Sequence, residues 1–84
     1  MSGVRVRCRL FARYAEVVGR EEVVLELPPD AVVADAVAAL RARVPGGELL
    51  PARPLVAVNL QQVLPGDRLH DGDELALLPP LAGG

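Results

Sequence analysis

Lysine, threonine and tryptophan are absent from this 84-residue sequence, and asparagine, cysteine and histidine occur once each. All nine basic residues are therefore arginines. Without an internal ε-amine, the chain cannot form lysine-linked chains of itself. Aromatic residues are confined to Phe11 and Tyr14, which leaves single-stranded nucleic acid no platform on which to stack. A net charge of −2 supplies no basic field for phosphate backbones. These two shortages together exclude a nucleic-acid partner. One cysteine excludes an internal disulfide and a thiolate metal cluster. No stretch approaches the roughly 20 apolar residues that cross a bilayer. The opening MSGVRVRCRL alternates Arg with apolar residues, where a signal peptide shows a continuous apolar run. These features place the expected protein in the cytoplasm, away from membranes.

What is present is apolar mass without aromatics. Half the residues, 51%, are hydrophobic, so Val, Leu and Ala must build one core, and the length supports one domain. Val4, Val6, Cys8 and Leu10 alternate with Arg5, Arg7 and Arg9, the period of a half-buried strand. Phe11, Tyr14, Ala15 and Val18 recur at helical spacing, with Gly19 as C-terminal cap. Residues 22–27 alternate again, with Val23, Leu25 and Leu27 inward. If these strands are neighbours, Arg5, Arg7 and Arg9 face Glu22 and Glu26. A longer helix carries Val33, Ala36, Val37, Leu40 and Val44 on its apolar side. Asp35 and the pair Arg41 and Arg43 suit its dipole. Val32, at the helix start, has no hydroxyl with which to cap it. Residues 55–58 read as a buried strand, followed by a turn near Asn59–Gln62. Pro65-Gly66 and Asp71-Gly72-Asp73 are turn chemistry, and residues 74–78 form a last strand stopped by Pro79-Pro80. The order strand, short helix, strand, longer helix, then two or three strands makes an α+β mixed sheet with one principal covering helix. The relative direction of the first two strands is left open.

Side chains offer little conventional chemistry. His70 sits in a polar turn beside Asp71 and reads as a surface histidine, without a second nitrogen ligand or a nucleophile. Asp71-Gly72-Asp73 lacks the spaced oxygens and closing Glu of a calcium loop. Cys8 falls on the apolar side of its strand and reads as a small core hydrophobe. No metal site is expected. The end of the chain differs. Pro79-Pro80 stiffens the exit from the fold, and Leu81-Ala82-Gly83-Gly84 follows with no pattern, as a flexible tail of residues 81–84 after a domain of residues 1–80. Two residues without Cβ can thread a narrow channel and present a carboxylate.

The tail LLPPLAGG, preceded by LHDGDELA, resembles the C-terminal signature of the MoaD/ThiS-like sulfur carriers, and most nearly that of the small subunit of molybdopterin synthase. The segments LFARYAEVVG and LVAVN are similar to that family's first strand-to-helix segment and third strand. Leu77 and Leu78 stand where the family often has aromatics, and Leu60 to Arg68 matches poorly. The resemblance implies a ubiquitin-like β-grasp fold with the first two strands antiparallel. It implies a sulfur-donating subunit that is not itself an enzyme. An E1-like partner uses ATP to adenylate the Gly84 carboxylate, and a sulfur donor converts it to a thiocarboxylate. The tail then enters the large catalytic subunit, where sulfur passes to a cyclic pyranopterin phosphate to build the dithiolene of the molybdenum cofactor. Gly83 lets the tail thread, Leu78, Pro80 and Leu81 are the expected partner-binding residues, and the chain binds no cofactor. The alternatives are a carrier for thiamine, cysteine or tRNA thiolation, and a ubiquitin-like protein modifier.

Overall fold

The computed structural model describes residues 3–79. Five strands form one mixed sheet: β1 (Val4–Leu10), β2 (Glu22–Leu27), β3 (Leu55–Val58), β4 (Gln61–Val63) and β5 (Glu74–Leu78). Their spatial order is β2-β1-β5-β3-β4. β1 and β5 run parallel at the centre, and every other neighbouring pair is antiparallel. Helix α1 (Ala12–Val18) joins β1 to β2, and α2 (Val33–Arg43) joins β2 to β3 through a 3-10 turn at Gly47–Leu49. This is the β-grasp arrangement the tail resemblance implies, and it closes the open question in favour of antiparallel β1 and β2.

The alternating sequence produces the sheet because the side-chain period in a strand is two. In β1 every even-numbered residue is buried and every odd one exposed, and β2 repeats the pattern out of phase. The register sets Val6 against Leu25 and Cys8 against Val23, so the buried residues of both strands share one face. Helix α2 lies on that face and contributes Val33, Ala36, Val37, Ala39 and Leu40 to the core. Leu40, Leu75 and Leu77 are fully enclosed.

The missing hydroxyl cap of α2 is replaced by neighbours. The carboxylate of Asp35 accepts from the Val32 N–H at 2.9 Å. The Val33 and Ala34 N–H groups donate to the carbonyls of Asp67 and Pro65, each at 2.9 Å. A loop distant in sequence thus satisfies donors that every helix start leaves open. Gly19 caps α1 in the left-handed region at φ 79°, its N–H bonded to Ala15 O at 2.8 Å. After α2 the chain turns at Gly47 against the helix itself, where a Cβ would run into the Leu40 carbonyl.

Two expectations need correction. Phe11 does not join the buried side of α1. It precedes the helix in an extended conformation, is 41% exposed, and lies under the Arg9 guanidinium, 5.8 Å from the ring centroid. Strand β3 is not buried throughout, since only Val56 is, because α2 covers one face of the sheet and leaves the other open. The arginine row does face the glutamates, with Arg5 opposite Glu26 and Arg9 opposite Glu22; Arg7 meets Glu22 at 3.4 Å, and Arg9 also reaches Glu74 at 3.6 Å on the inserted central strand.

Candidate functional site: the exit of the central strand

Strand β5 occupies the middle of the sheet and carries the chain to Pro79, the last described residue. Leu78 is the last rung of its ladder with β3 and stands opposite Leu55. The same register puts Ala76 beside Ala57. These four side chains share the face that no described helix covers, with Arg5, Arg7, Arg9, Glu22, Val24, Glu26 and Glu74, by the alternation of each strand. The open face is thus divided. Its β2 side is ionic, while the β5–β3 side is apolar, with Leu55 47% exposed and Leu78 half-buried. Continuing the β1–β5 register past Leu10 and Leu77 brings exposed Phe11 alongside Leu78. An apolar patch therefore flanks the point where the chain leaves the sheet.

Of the expected site residues, Leu78 belongs to this patch. Pro80, Leu81, Gly83 and Gly84 lie outside the described residues. The sequence reading missed Leu55, Phe11, Ala57 and Ala76. Phe11 continues the odd-numbered alternation of β1 one residue beyond its end, whereas Leu55 is marked by its pairing with Leu78, which needs the β3–β5 register linking residues 23 positions apart.

The remaining polar groups are engaged in holding turns. The Asp71 carboxylate accepts from the Arg5 N–H at 2.8 Å rather than orienting His70. His70 is exposed, with Nδ1 3.9 Å from the Asp73 carboxylate. Asp73, 8% exposed, accepts from Asn59 Nδ2 at 2.9 Å and the His70 N–H at 2.8 Å. Gly72 takes φ 88° between them, so the segment is the tight turn its sequence indicates. Cys8 is fully buried, and desolvation pushes its thiol from 9.0 up to about 12. A thiolate is thereby suppressed at neutral pH. A groove of about 440 Å³ lies between Val33 and Val37 of α2 and Val56 and Val63 of the sheet, and Arg53 is the one charged residue in its described lining. It contains neither nucleophile nor base. Among the described residues, then, the arrangement offers an apolar surface beside the exit of β5, and no group of three or more His, Cys, Asp or Glu side chains is placed to hold a metal ion.

The ThiS family model matches residues 8–84. The chain is similar to the molybdopterin synthase sulfur carrier subunit of Chlamydomonas reinhardtii, at 35% identity over 96% of this chain and 100% of that one. It is likewise similar to small archaeal modifier protein 3 of Haloferax volcanii, at 34% identity over 96% and 100% of the two chains. The crystal structure of H. volcanii small archaeal modifier protein 1 superposes with a TM-score of 0.84 at 34% identity, covering 94% of this chain and 100% of that one. Sulfur carriers and modifiers thus share this chain's fold over nearly its full length, and the chain belongs to the ThiS family of ubiquitin-like sulfur carriers.

Proposed function

We propose that this protein is the sulfur carrier subunit of a molybdopterin synthase and works in the cytoplasm. The observation that carries the reading is the position of β5: the central strand ends beside an exposed apolar patch and leads directly into Pro-Pro-Leu-Ala-Gly-Gly. The patch gives a partner something to hold while the tail enters that partner's active site.

The reacting group is the Gly84 carboxylate. On an E1-like enzyme it attacks the α-phosphorus of ATP, and pyrophosphate leaves. The outer sulfur of a persulfide on a donor protein displaces AMP from the acyl adenylate, and a second thiol then attacks the donor's sulfur in the resulting acyl disulfide, releasing the thiocarboxylate and leaving a disulfide between the two thiols. Gly83 and Gly84 lack Cβ atoms, so the end of the chain fits a channel and takes backbone angles closed to other residues. In the large subunit, Leu78, Pro80 and Leu81 anchor the exit while the sulfur passes to a cyclic pyranopterin phosphate. A few residues near the centre of an interface commonly carry most of its binding energy.

A second reading is favoured by the similarity to the archaeal modifiers: the same acyl adenylate ends in an amide with a lysine of another protein. The two share activation and differ in the nucleophile. The deciding experiment incubates the full chain with an E1-like activator, ATP and a sulfur source and reads intact mass. Exchange of one oxygen for sulfur, lost on deletion of Gly84 with no change in thermal unfolding, supports the carrier. Unimpaired sulfur gain without Gly84 refutes the C-terminal chemistry. Adducts on lysines of other proteins, with no sulfur exchange, select the modifier.

A further inference from the structure

Strand β2 is one edge of the sheet. Its ladder bonds to β1 are made by odd-numbered residues, as the Leu10 N–H to Glu21 O bond at 2.9 Å shows at the end of the pairing. Antiparallel pairing alternates, so the N–H and C=O groups of Glu22, Val24 and Glu26 point outward. One of them has a borrowed partner: the Arg43 guanidinium donates to Glu26 O at 3.2 Å. A groove of about 410 Å³ runs along this edge on the helix side, between Val23, Leu25, Val44 and Pro45, with Arg20 and Arg43 also in its lining. On the opposite face the edge presents Glu22, Val24 and Glu26, with Val24 51% exposed.

We propose that the β2 edge is a docking site for an extended partner segment that alternates basic and apolar residues and adds as a sixth, antiparallel strand. Three observations select this occupant. The outward backbone groups require an extended chain, since only a strand can pair with every second residue. Glu26, and Glu22 beyond its exposed contact with Arg7, favour cations over acids at the matching positions, as like charges directly opposite one another oppose pairing. The groove is mixed, and its Val23, Leu25, Val44 and Pro45 wall accepts the alternate side chains. The chain already contains a strand of this kind on the other side of β2, where β1 sets Arg5 opposite Glu26 and Arg9 opposite Glu22. A second copy is a poor occupant: two-fold pairing of the whole strand about Val24 puts Glu22 of one copy against Glu26 of the other. The edge is separated from β5 by β1, so a segment bound there leaves the exit of the tail free.

The test uses the full chain and a fluorescein-labelled peptide, RVRVR, with EVEVE as the control. Fluorescence anisotropy reads binding, and amide hydrogen exchange reads its location. RVRVR should bind and slow exchange at Glu22, Val24 and Glu26 at least tenfold, and EVEVE should not. Val24→Pro removes an N–H that faces away from β1, a position at which an edge strand tolerates proline. It should weaken binding at least tenfold while circular dichroism stays native. The double variant Glu22→Gln, Glu26→Gln removes the acidic pair without setting like charges against Arg5 and Arg9; it should weaken RVRVR at least tenfold and keep the fold, which leaves a second reading should the proline variant unfold. Absence of binding at millimolar peptide overturns the proposal. So does undiminished binding to folded Val24→Pro, which would mark a diffuse charge attraction, or protection centred on Leu55 and Leu78. None of these outcomes depends on Gly84 chemistry, because sulfur gain is measured separately and should be unchanged by the variants.

Discussion

Leu78 and Leu55 face each other across the last rung of the β3–β5 ladder, on the side of the sheet that α2 does not cover. Two leucines in that position gain little for the fold, because one of them is 47% exposed. Their apolar surface is removed from water only when something else covers it.

Leu55→Glu should therefore spare the fold and weaken the partner complex. The expected change in unfolding free energy is within about 0.5 kcal/mol, as for most surface substitutions. Affinity for the E1-like activator or the large subunit should fall at least tenfold, about 1.4 kcal/mol. Calorimetric titration beside a urea melt reads both. Unchanged affinity would remove the patch from the partner interface.

Asn59 ties the β3–β4 turn to the start of β5. Its amide donates to buried Asp73 at 2.9 Å and accepts from the Glu74 N–H at 3.0 Å. Asn59→Ala leaves both groups short of a partner and should cost about 1–3 kcal/mol. The loss should appear as a lower urea midpoint with an unchanged slope.

Why this asparagine escaped the sequence reading, while β1 and β2 did not, is a matter of range. Strand alternation is local: Val4, Val6, Cys8 and Leu10 declare their face within seven residues. The α2 stripe from Val33 to Val44 is local as well. Asn59 acts across 14 residues, and its sequence neighbours show only a turn. The same limit hides the contact of Arg9 with Glu74, which arrives beside it only when β5 inserts next to β1. Phe11 failed for another reason. Helical spacing counted it with Tyr14 and Val18, but it still follows the extended path of β1. Leu78 was legible because it precedes the prolines, whereas Leu55 required the register.

The β3–β4 turn also carries strain. Asn59 and Leu60 have φ of 51° and 73°, the left-handed pair that a two-residue hairpin turn needs and that Asn-Gly supplies best. Leu60 is 93% exposed, so its side chain offers no packing in return. Leu60→Gly should stabilise the protein by roughly 1 kcal/mol, the cost of the left-handed region for a residue with a Cβ. A thermal melt that falls instead of rising would show that the leucine makes a contact the fold depends on.

Leu40 tests the grip of the helix on the sheet. It is fully enclosed, and Leu40→Ala removes a side chain from a core that cannot refill easily. A loss of about 2–5 kcal/mol is expected in denaturant unfolding. A loss below about 0.5 kcal/mol would contradict the packing of α2 on β1 and β5.

The last prediction concerns Cys8 and the alternative that it, rather than Gly84, carries sulfur. Burial raises its thiol from 9.0 to about 12 in the folded protein, because the neighbouring apolar side chains solvate a thiolate poorly. The unfolded chain has no such penalty and ionises near 9. Below pH 9 both states hold the proton and the thiol contributes no pH dependence. Between about 9 and 12 only the unfolded state releases it, so stability should fall as pH rises, with a limiting slope near 1.4 kcal/mol per pH unit. Cys8→Ala should remove that part of the slope, and the difference between the two pH–stability curves isolates it from every other titrating group. At pH 8 the native thiol should react with a disulfide reagent far more slowly than the unfolded one, since the thiolate is the nucleophile. Cys8→Ala should gain sulfur at the same rate as the native chain. Fast labelling in the folded state, together with loss of sulfur gain in Cys8→Ala, would transfer the sulfur-bearing role to this side chain.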